Sequence, residues 1–380
     1  MRFFAWVTCI LLMIMPFRDS RAEGEETIDL SMAKAAILVE PYTGTVLAQK
    51  DAKTPYHVAG LSKLPAVLTL AQAIDDGTLD SARRLYTSKA AADVPGPSAF
   101  LEENESAQVI DLFKAAAIIG AGDAIMTLGE GVYGSEAIFC ENVNATIHLA
   151  GGDFAVTTAL GSTDQFTASA LAQLGCAALE SATYLKWSGI RMDHFSHEDG
   201  RATELVSANR LLLGYSGCNG LMTGSSAEDG YCGVFTAKRN GMSLVAVVLG
   251  AKDASSRYQA ASAMLDYGFA AYAAKSYYKA GDPPFATLAV DDGETDSVNV
   301  VPQGDVILLI KKQQAVPQGI LSLPEELEAP LYTDVSVGKA TYSDADGNLL
   351  LEVLLYPEND VPRFTLKDAI FRVMRDFLMP

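Results

Sequence analysis

The 380-residue chain carries 28 lysines and arginines against 47 aspartates and glutamates, a net charge of −19. An acidic balance of this size excludes a general nucleic-acid binder, which needs a basic surface to displace phosphate counterions. A hydrophobic content of 49% supports a sizeable core, and the length accommodates two domains.

The chain opens Met1-Arg2-Phe3-Phe4, runs apolar to Phe17 and reaches Ser20-Arg21-Ala22 ahead of the acidic Glu23-Gly24-Glu25-Glu26. A basic start, a short apolar stretch and small residues three and one before the break describe a signal peptide, residues 1–22, cleaved after Ala22. The apolar run is short for a membrane span, so an uncleaved anchor is the minor alternative. The expected location is extracytoplasmic, in a periplasm or on the outer face of the cytoplasmic membrane.

Residues 33–40 read as a strand, Tyr42-Thr43-Gly44 as a turn, and Thr45-Val46-Leu47-Ala48 as the returning strand. From Leu64 the apolar positions Leu64, Val67, Leu68, Ala71 and Ile74 recur at helical spacing, and Gly77 ends the helix. Pro65 lacks an N–H and belongs in a first turn. Either Ser62 caps a helix that starts late, or the helix begins at Gly60 with a bond missing. Helices are predicted over 108–119, from Asp123 to about Val132, and over 136–149, whereas the polar stretch 186–209 reads mostly as loop. Residues 219–224, 231–237 and 242–249 read as strands, the last two joined by Asn240-Gly241, a strong hairpin signal. A closing helix follows over 253–272. The first domain is expected to span 29–276.

Tyr277 to Pro284, with Gly281 and Pro283-Pro284, reads as a linker. Short β-rich segments then follow (287–290, 298–301, 306–311, 335–342 and 349–355), with Asp346-Gly347-Asn348 turning the last two into a hairpin. They predict a small all-β domain over 285–360. The final stretch, 363–380, places Leu366, Ile370, Val373, Met374, Phe377 and Leu378 on one helical face. Arg363, Lys367, Arg372 and Arg375 could meet head groups, so the tail either lies on a membrane surface or docks on its own domain.

Cys140, Cys176, Cys218 and Cys232 follow the leader. An even count permits disulfides in an oxidising compartment, but the spacing matches no framework and no zinc pattern, and burial as small apolar residues is the simpler reading. Their pairing stays open. His194 and His197 with Asp193 and Glu198 lie in a polar stretch and read as solvated rather than as metal ligands. No metal or cofactor is expected.

The stretch Ala59-Gly60-Leu61-Ser62-Lys63-Leu64 stands where a helix follows a hairpin, with Lys63 one turn in. Other marked words are Gly122-Asp123-Ala124, Thr223-Gly224, Asp229-Gly230-Tyr231-Cys232, Ala237-Lys238-Arg239-Asn240-Gly241, Leu244 to Gly250 and Leu265 to Phe269. In this order, and followed by a β domain and an amphipathic tail, they resemble the serine-type D-alanyl-D-alanine carboxypeptidases. These are low-molecular-mass penicillin-binding proteins that trim peptidoglycan stem peptides. The resemblance runs from about Ala33 to the tail. It implies an α/β (α+β) fold: a penicillin-binding, β-lactamase-like domain with an antiparallel sheet flanked by helices, then the small all-β domain and tail helix.

The resemblance also locates the chemistry. The family's first motif supplies a serine nucleophile and a lysine base; here Gly60 holds the serine position and Lys63 is kept. The second motif supplies a serine and an asparagine; here both positions are glycine, Gly120 and Gly122. The third places a lysine beside the substrate carboxylate; here Met222 stands there, and Thr223 and Gly224 remain, followed by the backbone amide of Ser225. The Asn-Pro-x-Gly segment of relatives is eroded to Thr158-Ala159-Leu160-Gly161. The implied reading is a pseudoenzyme that holds a stem peptide or a cell-wall enzyme. The alternatives are an active carboxypeptidase using a shifted nucleophile such as Ser62, or a purely structural envelope protein. Ser31-Met32-Ala33-Lys34, Ser276-Tyr277-Tyr278-Lys279 and Ser207-Ala208-Asn209 match the motif patterns literally but occupy the wrong elements.

Overall fold

The strand Ala35–Glu40 (β1) is buried along its whole length, as an unbroken apolar run inside a sheet requires. In the computed structural model, which describes residues 18–19, 28–314, 316–345 and 347–365, it pairs antiparallel with Thr45–Lys50 (β2). Glu40 closes their turn, its carboxylate accepting from Tyr42 N at 3.0 Å, Thr43 N at 2.8 Å and Thr43 Oγ1 at 2.6 Å. Three later strands complete the frame: Cys218–Ser226 (β3), Gly230–Arg239 (β4) and Met242–Ala251 (β5). Across the six-stranded sheet the order is Arg18–Asp19, β2, β1, β5, β4, β3. All neighbours are antiparallel except Arg18–Asp19 with β2. Asn240 and Gly241 take φ of 50° and 82°, the pair of positive values that a tight primed hairpin turn needs.

Helices cover this sheet. Leu64–Asp75 (α1) is buried almost all round, with residues 64–71 inaccessible, which marks it as a central helix rather than a surface one. Val109–Ile119 (α2) and Gly122–Tyr133 (α3) end at Gly120 and Gly134, both left-handed, the usual glycine stop. Glu136–Leu149 (α4) is capped by Ser135 on Ile138 N. Two further helices carry their own caps, Thr167 before Ala168–Ala178 (α5) and Ser181 before Ala182–Ser188 (α6). A Cβ on Gly175 of α5 would lie 2.8 Å from Val245 Cγ1, so that glycine lets the helix sit directly on the sheet. Ala254–Ala271 (α7) follows β5.

The stretch 186–209 is more ordered than its polarity suggests. It completes α6 and then forms a hairpin, Met192–Ser196 with Ala202–Val206, in which Phe195 and Leu205 are buried. Polar residues alternate with those anchors, and short alternation on a half-exposed ribbon is easily taken for loop.

Contacts divide the chain into units Met1–Ala270 and Ala271–Pro380. Among its described residues the second unit holds β-strands and no helix of its own. Its six-stranded sheet runs Gly319–Ser322, Gly338–Ser343, Leu349–Pro357, Ser297–Val301, Ala286–Asp291 and Glu326–Glu328, beside a two-stranded pair of Tyr272–Tyr278 with Val306–Lys311. Val300, Leu308, Ala340, Tyr342 and Leu355 form its core. The first residues of the stretch read as a linker, Tyr277 and Tyr278, belong to a strand, and Tyr278 is buried. The predicted leader, apart from Arg18–Asp19, and the tail helix from Leu366 onward lie outside the described residues. Among the described residues no helix is long and apolar enough to cross a membrane.

Candidate functional site

Ala59–Lys63 forms a 3-10 turn, and the regular helix α1 starts only at Leu64. Pro65 gives the reason. It has no N–H to offer the carbonyl of Leu61; Leu64 N takes that carbonyl instead, which is the tighter register. Ser62 does not cap the helix. Its hydroxyl is buried and donates to Leu160 O at 2.7 Å. In a 3-10 turn, residues three apart eclipse one another, so Lys63 stands over position 60.

Position 60 is empty. A Cβ built on Gly60 meets nothing within 4 Å. Lys63 is 5% exposed, and among the described residues its one hydrogen bond runs from Nζ to Gly120 O at 2.9 Å. Burial pushes its pKa below the ordinary lysine value, and the charge of Asp123 partly opposes that shift. Asp123 forms no ion pair with it at contact distance. Its buried carboxylate accepts from Ser98 Oγ, Ala99 N, Leu101 N and Ala124 N, clamping the loop 94–101 onto the start of α3.

That loop rebuilds the second wall. A Cβ on Gly122 would lie 2.5 Å from Val94 Cγ1 and 3.1 Å from Lys63 Nζ, so Val94 occupies the space an asparagine would enter. Gly122 N donates to Pro97 O at 2.8 Å, and Gly96, exposed, comes within 3.9 Å of Lys63 Nζ measured from its built Cβ. Gly120 has a φ of +67°, and its built Cβ lies 4.0 Å from Met222 Cε. Met222 is buried. The sequence reading missed Val94 and Gly96, because only the folded loop brings them to Lys63.

The third wall is β3, a sheet edge. Thr223, Gly224 and Ser225 oppose Gly233, Cys232 and Tyr231 on β4. A Cβ on Gly224 would stand 2.4 Å from Leu61 N and 2.8 Å from Gly60 N, so the absent side chain lets the strand touch the 3-10 turn. Thr223 is half-buried and Ser225 exposed. Behind the strand, the buried Arg257 of α7 donates through Nη1 to Gly224 O at 3.2 Å and Cys232 O at 3.0 Å, and through Nη2 to Tyr258 Oη.

The structure thus brings Gly60, Lys63, Gly120, Gly122, Met222 and Gly224 together around one cleft. The literal motif copies stay outside it. Ser207 accepts from Asn209 N, and Asn209 Nδ2 donates to Gly220 O, a brace at the start of β3. His197 turns inward, bonding Glu105 at 2.7 Å and Thr203 at 2.9 Å, while His194 stays exposed beside Asp193. No cluster able to hold a metal occurs among the described residues. Cys140, Cys176, Cys218 and Cys232 are free thiols.

A largely antiparallel sheet covered by helices, with the 3-10 turn against its edge strand, and then a β unit later in the chain are an arrangement that known proteins share. Residues 22–253 match the D-alanyl-D-alanine carboxypeptidase family, and residues 272–363 match the carboxy-terminal domain of penicillin-binding protein 5. The chain therefore belongs to the D-alanyl-D-alanine carboxypeptidase family of low-molecular-mass penicillin-binding proteins, whose work lies in peptidoglycan metabolism. It is 26% identical over 375 residues to the D-alanyl-D-alanine carboxypeptidase DacF of Bacillus subtilis, covering 97% of this chain and 96% of that one. It is 27% identical over 301 residues to DacC of Escherichia coli, 75% and 73% of the two chains. Penicillin-binding protein 5 of Haemophilus influenzae shares the fold with a TM-score of 0.77 at 22% identity, over 89% of this chain and 99% of the other.

Proposed function

We propose that this member of the family binds cell-wall peptide without cleaving it, as an exported binding or scaffolding protein. One observation carries the reading: no side-chain atom stands at position 60 to attack a carbonyl, and among the described residues the amine of Lys63 is bonded only to Gly120 O. Loss of a nucleophilic serine in a comparable serine hydrolase costs about a million-fold in turnover. Replacement of a cation by Met222 also removes a charge-assisted contact of about 1.5–3 kcal/mol.

The shifted-nucleophile reading fares worse. Ser62 Oγ is buried on Leu160 O rather than on Lys63. Support for export comes from residues 1–22 alone, and mature protein should begin at Glu23 by amino-terminal sequencing. An intact Met1 start would sink that part.

A fluorescent penicillin tests the chemistry. The purified protein should stay unlabelled under conditions that saturate an active relative. Covalent label that disappears in Ser62→Ala would restore the active-enzyme reading. Titration with stem peptides separates a binding protein from a purely structural one, which would show no saturable binding.

A further inference from the structure

We propose that the cleft is a product site: it holds the free carboxylate of a stem peptide ending in one D-alanine, in preference to the D-alanyl-D-alanine terminus that the family cleaves. This rests on the non-hydrolytic reading above and names its ligand.

The argument starts at Lys63. An ammonium has three N–H donors, and among the described residues Lys63 has one partner, Gly120 O. It is buried, and Asp123 is occupied by Ser98, Ala99, Leu101 and Ala124. Asp123 acts on this amine only from beyond contact distance; a buried cation with no carboxylate in contact is costly, and an incoming carboxylate supplies that contact.

Position 60 supplies the room. At its last carbon a peptide acid carries a second oxygen where a longer peptide carries the amide nitrogen and the next residue, so both oxygens are free to accept from a donor. A serine side chain at 60 would compete for the space beside that carbon, but a Cβ on Gly60 meets nothing within 4 Å. Gly60 and Lys63 lie three apart in the same 3-10 turn, which sets their side-chain directions on one face, and no Lys63 atom comes within 4 Å of a Cβ at 60. Gly60 is half-buried, while Gly96 and Ser225 are exposed, so the gap opens to solvent.

The far wall selects against the longer peptide. A second D-alanine would carry its carboxylate onward toward Met222, buried beside Gly120. A thioether offers no charge. Arg257 is held behind β3 by Gly224 O, Cys232 O and Tyr258 Oη. The longer ligand would therefore set a neutral amide beside the cation and its charge beside an apolar group. The shorter one sets its charge beside Lys63.

Calorimetric titration of the full mature chain with two stem peptides, identical except for ending in one or two D-alanines, tests this. The shorter should bind at least about tenfold tighter, as expected for one gained charge-assisted contact. Its methyl ester should lose that advantage, with no mutation required. Gly60→Ser, which fills the gap, and Lys63→Met, which removes the charge, should each reduce it. If the longer peptide binds equally or better, the product assignment falls while non-hydrolytic peptide binding stands. If neither peptide binds, both fall.

Discussion

Positions 60 and 122 both lack the side chain that the family pattern places there, yet their surroundings differ. Around Gly60 nothing has moved in: a Cβ would meet open space. Around Gly122 the space is taken, with Val94 Cγ1 2.5 Å from where a Cβ would stand. One position is open and the other is filled by a neighbour. Interiors are close-packed, and Val94 meets that demand at the buried Gly122, whereas the half-buried Gly60 borders a gap that solvent can enter. Gly120 is a third case, fixed by a left-handed φ that closes α2, where a side chain is disfavoured by backbone conformation rather than by crowding.

The contrast predicts unequal costs of restoration, the largest at 122. Gly122→Asn must displace Val94 and crowd Lys63, and overpacking of this sort costs about 1–3 kcal/mol. Val94→Ala in the same chain should return most of that loss, although alone it should be mildly destabilising. Denaturant midpoints of the two single variants and the double variant measure the coupling. Simple additivity would mean that Val94 does not fill the asparagine's place.

Much of the fold is legible in the sequence. The paired strands 33–40 and 45–48, the Asn240-Gly241 turn and the helices ending at Gly77 and Gly120 follow from alternation, period and turn chemistry. The glycines at 60, 120 and 122 are visible in the letters, and their reading as motif positions belongs to the proposed function. The contacts that decide what fills each gap were not legible. Val94 reaches Gly122 only through the loop clamped by Asp123, and Ser62 finds Leu160 across 98 residues of chain. Neither contact has a periodic signature. Helices α5 and α6 escaped for a related reason: the small, alanine-rich α5 and the seven-residue α6 take their helical state from tertiary packing as much as from their own pattern.

Lys63 offers a smaller, pH-dependent test of the same contrast. Burial lowers its pKa in the folded state. Below that folded value both states hold the proton, and the folded state bears the full cost of a desolvated cation. As pH rises through the folded pKa toward the ordinary value of about 10.4, the folded amine is neutral while the unfolded chain still binds a proton, so stability rises with pH. Lys63→Met lacks this term. The variant should be more stable than the parent at pH 7, and the gap should narrow as pH approaches about 10. A gap that is constant or widens, measured by denaturant midpoints across that range, would show that the amine is better solvated than its 5% exposure implies.

The smallest effect belongs to position 60 itself. Gly60 has no positive φ and no neighbour within 4 Å of a built Cβ. Gly60→Ser should therefore change stability by about 0.5 kcal/mol, in the stabilising direction, because it mainly restricts the unfolded chain. A loss of more than about 1 kcal/mol would mean that the gap is not open. The same variant restores the spacing of hydroxyl and amine, but penicillin labelling should stay near background. Residues that act as one catalytic unit are strongly non-additive, and Gly120, Gly122 and Met222 still line the cleft. Strong labelling of the single variant would show that the serine alone had been lost and that the repacking by Val94 and Met222 is incidental. Labelling that returns only when Gly120→Ser, Gly122→Asn and Met222→Lys accompany it would show that the whole cleft diverged as one piece, with the empty place at 60 the part still free to hold a ligand.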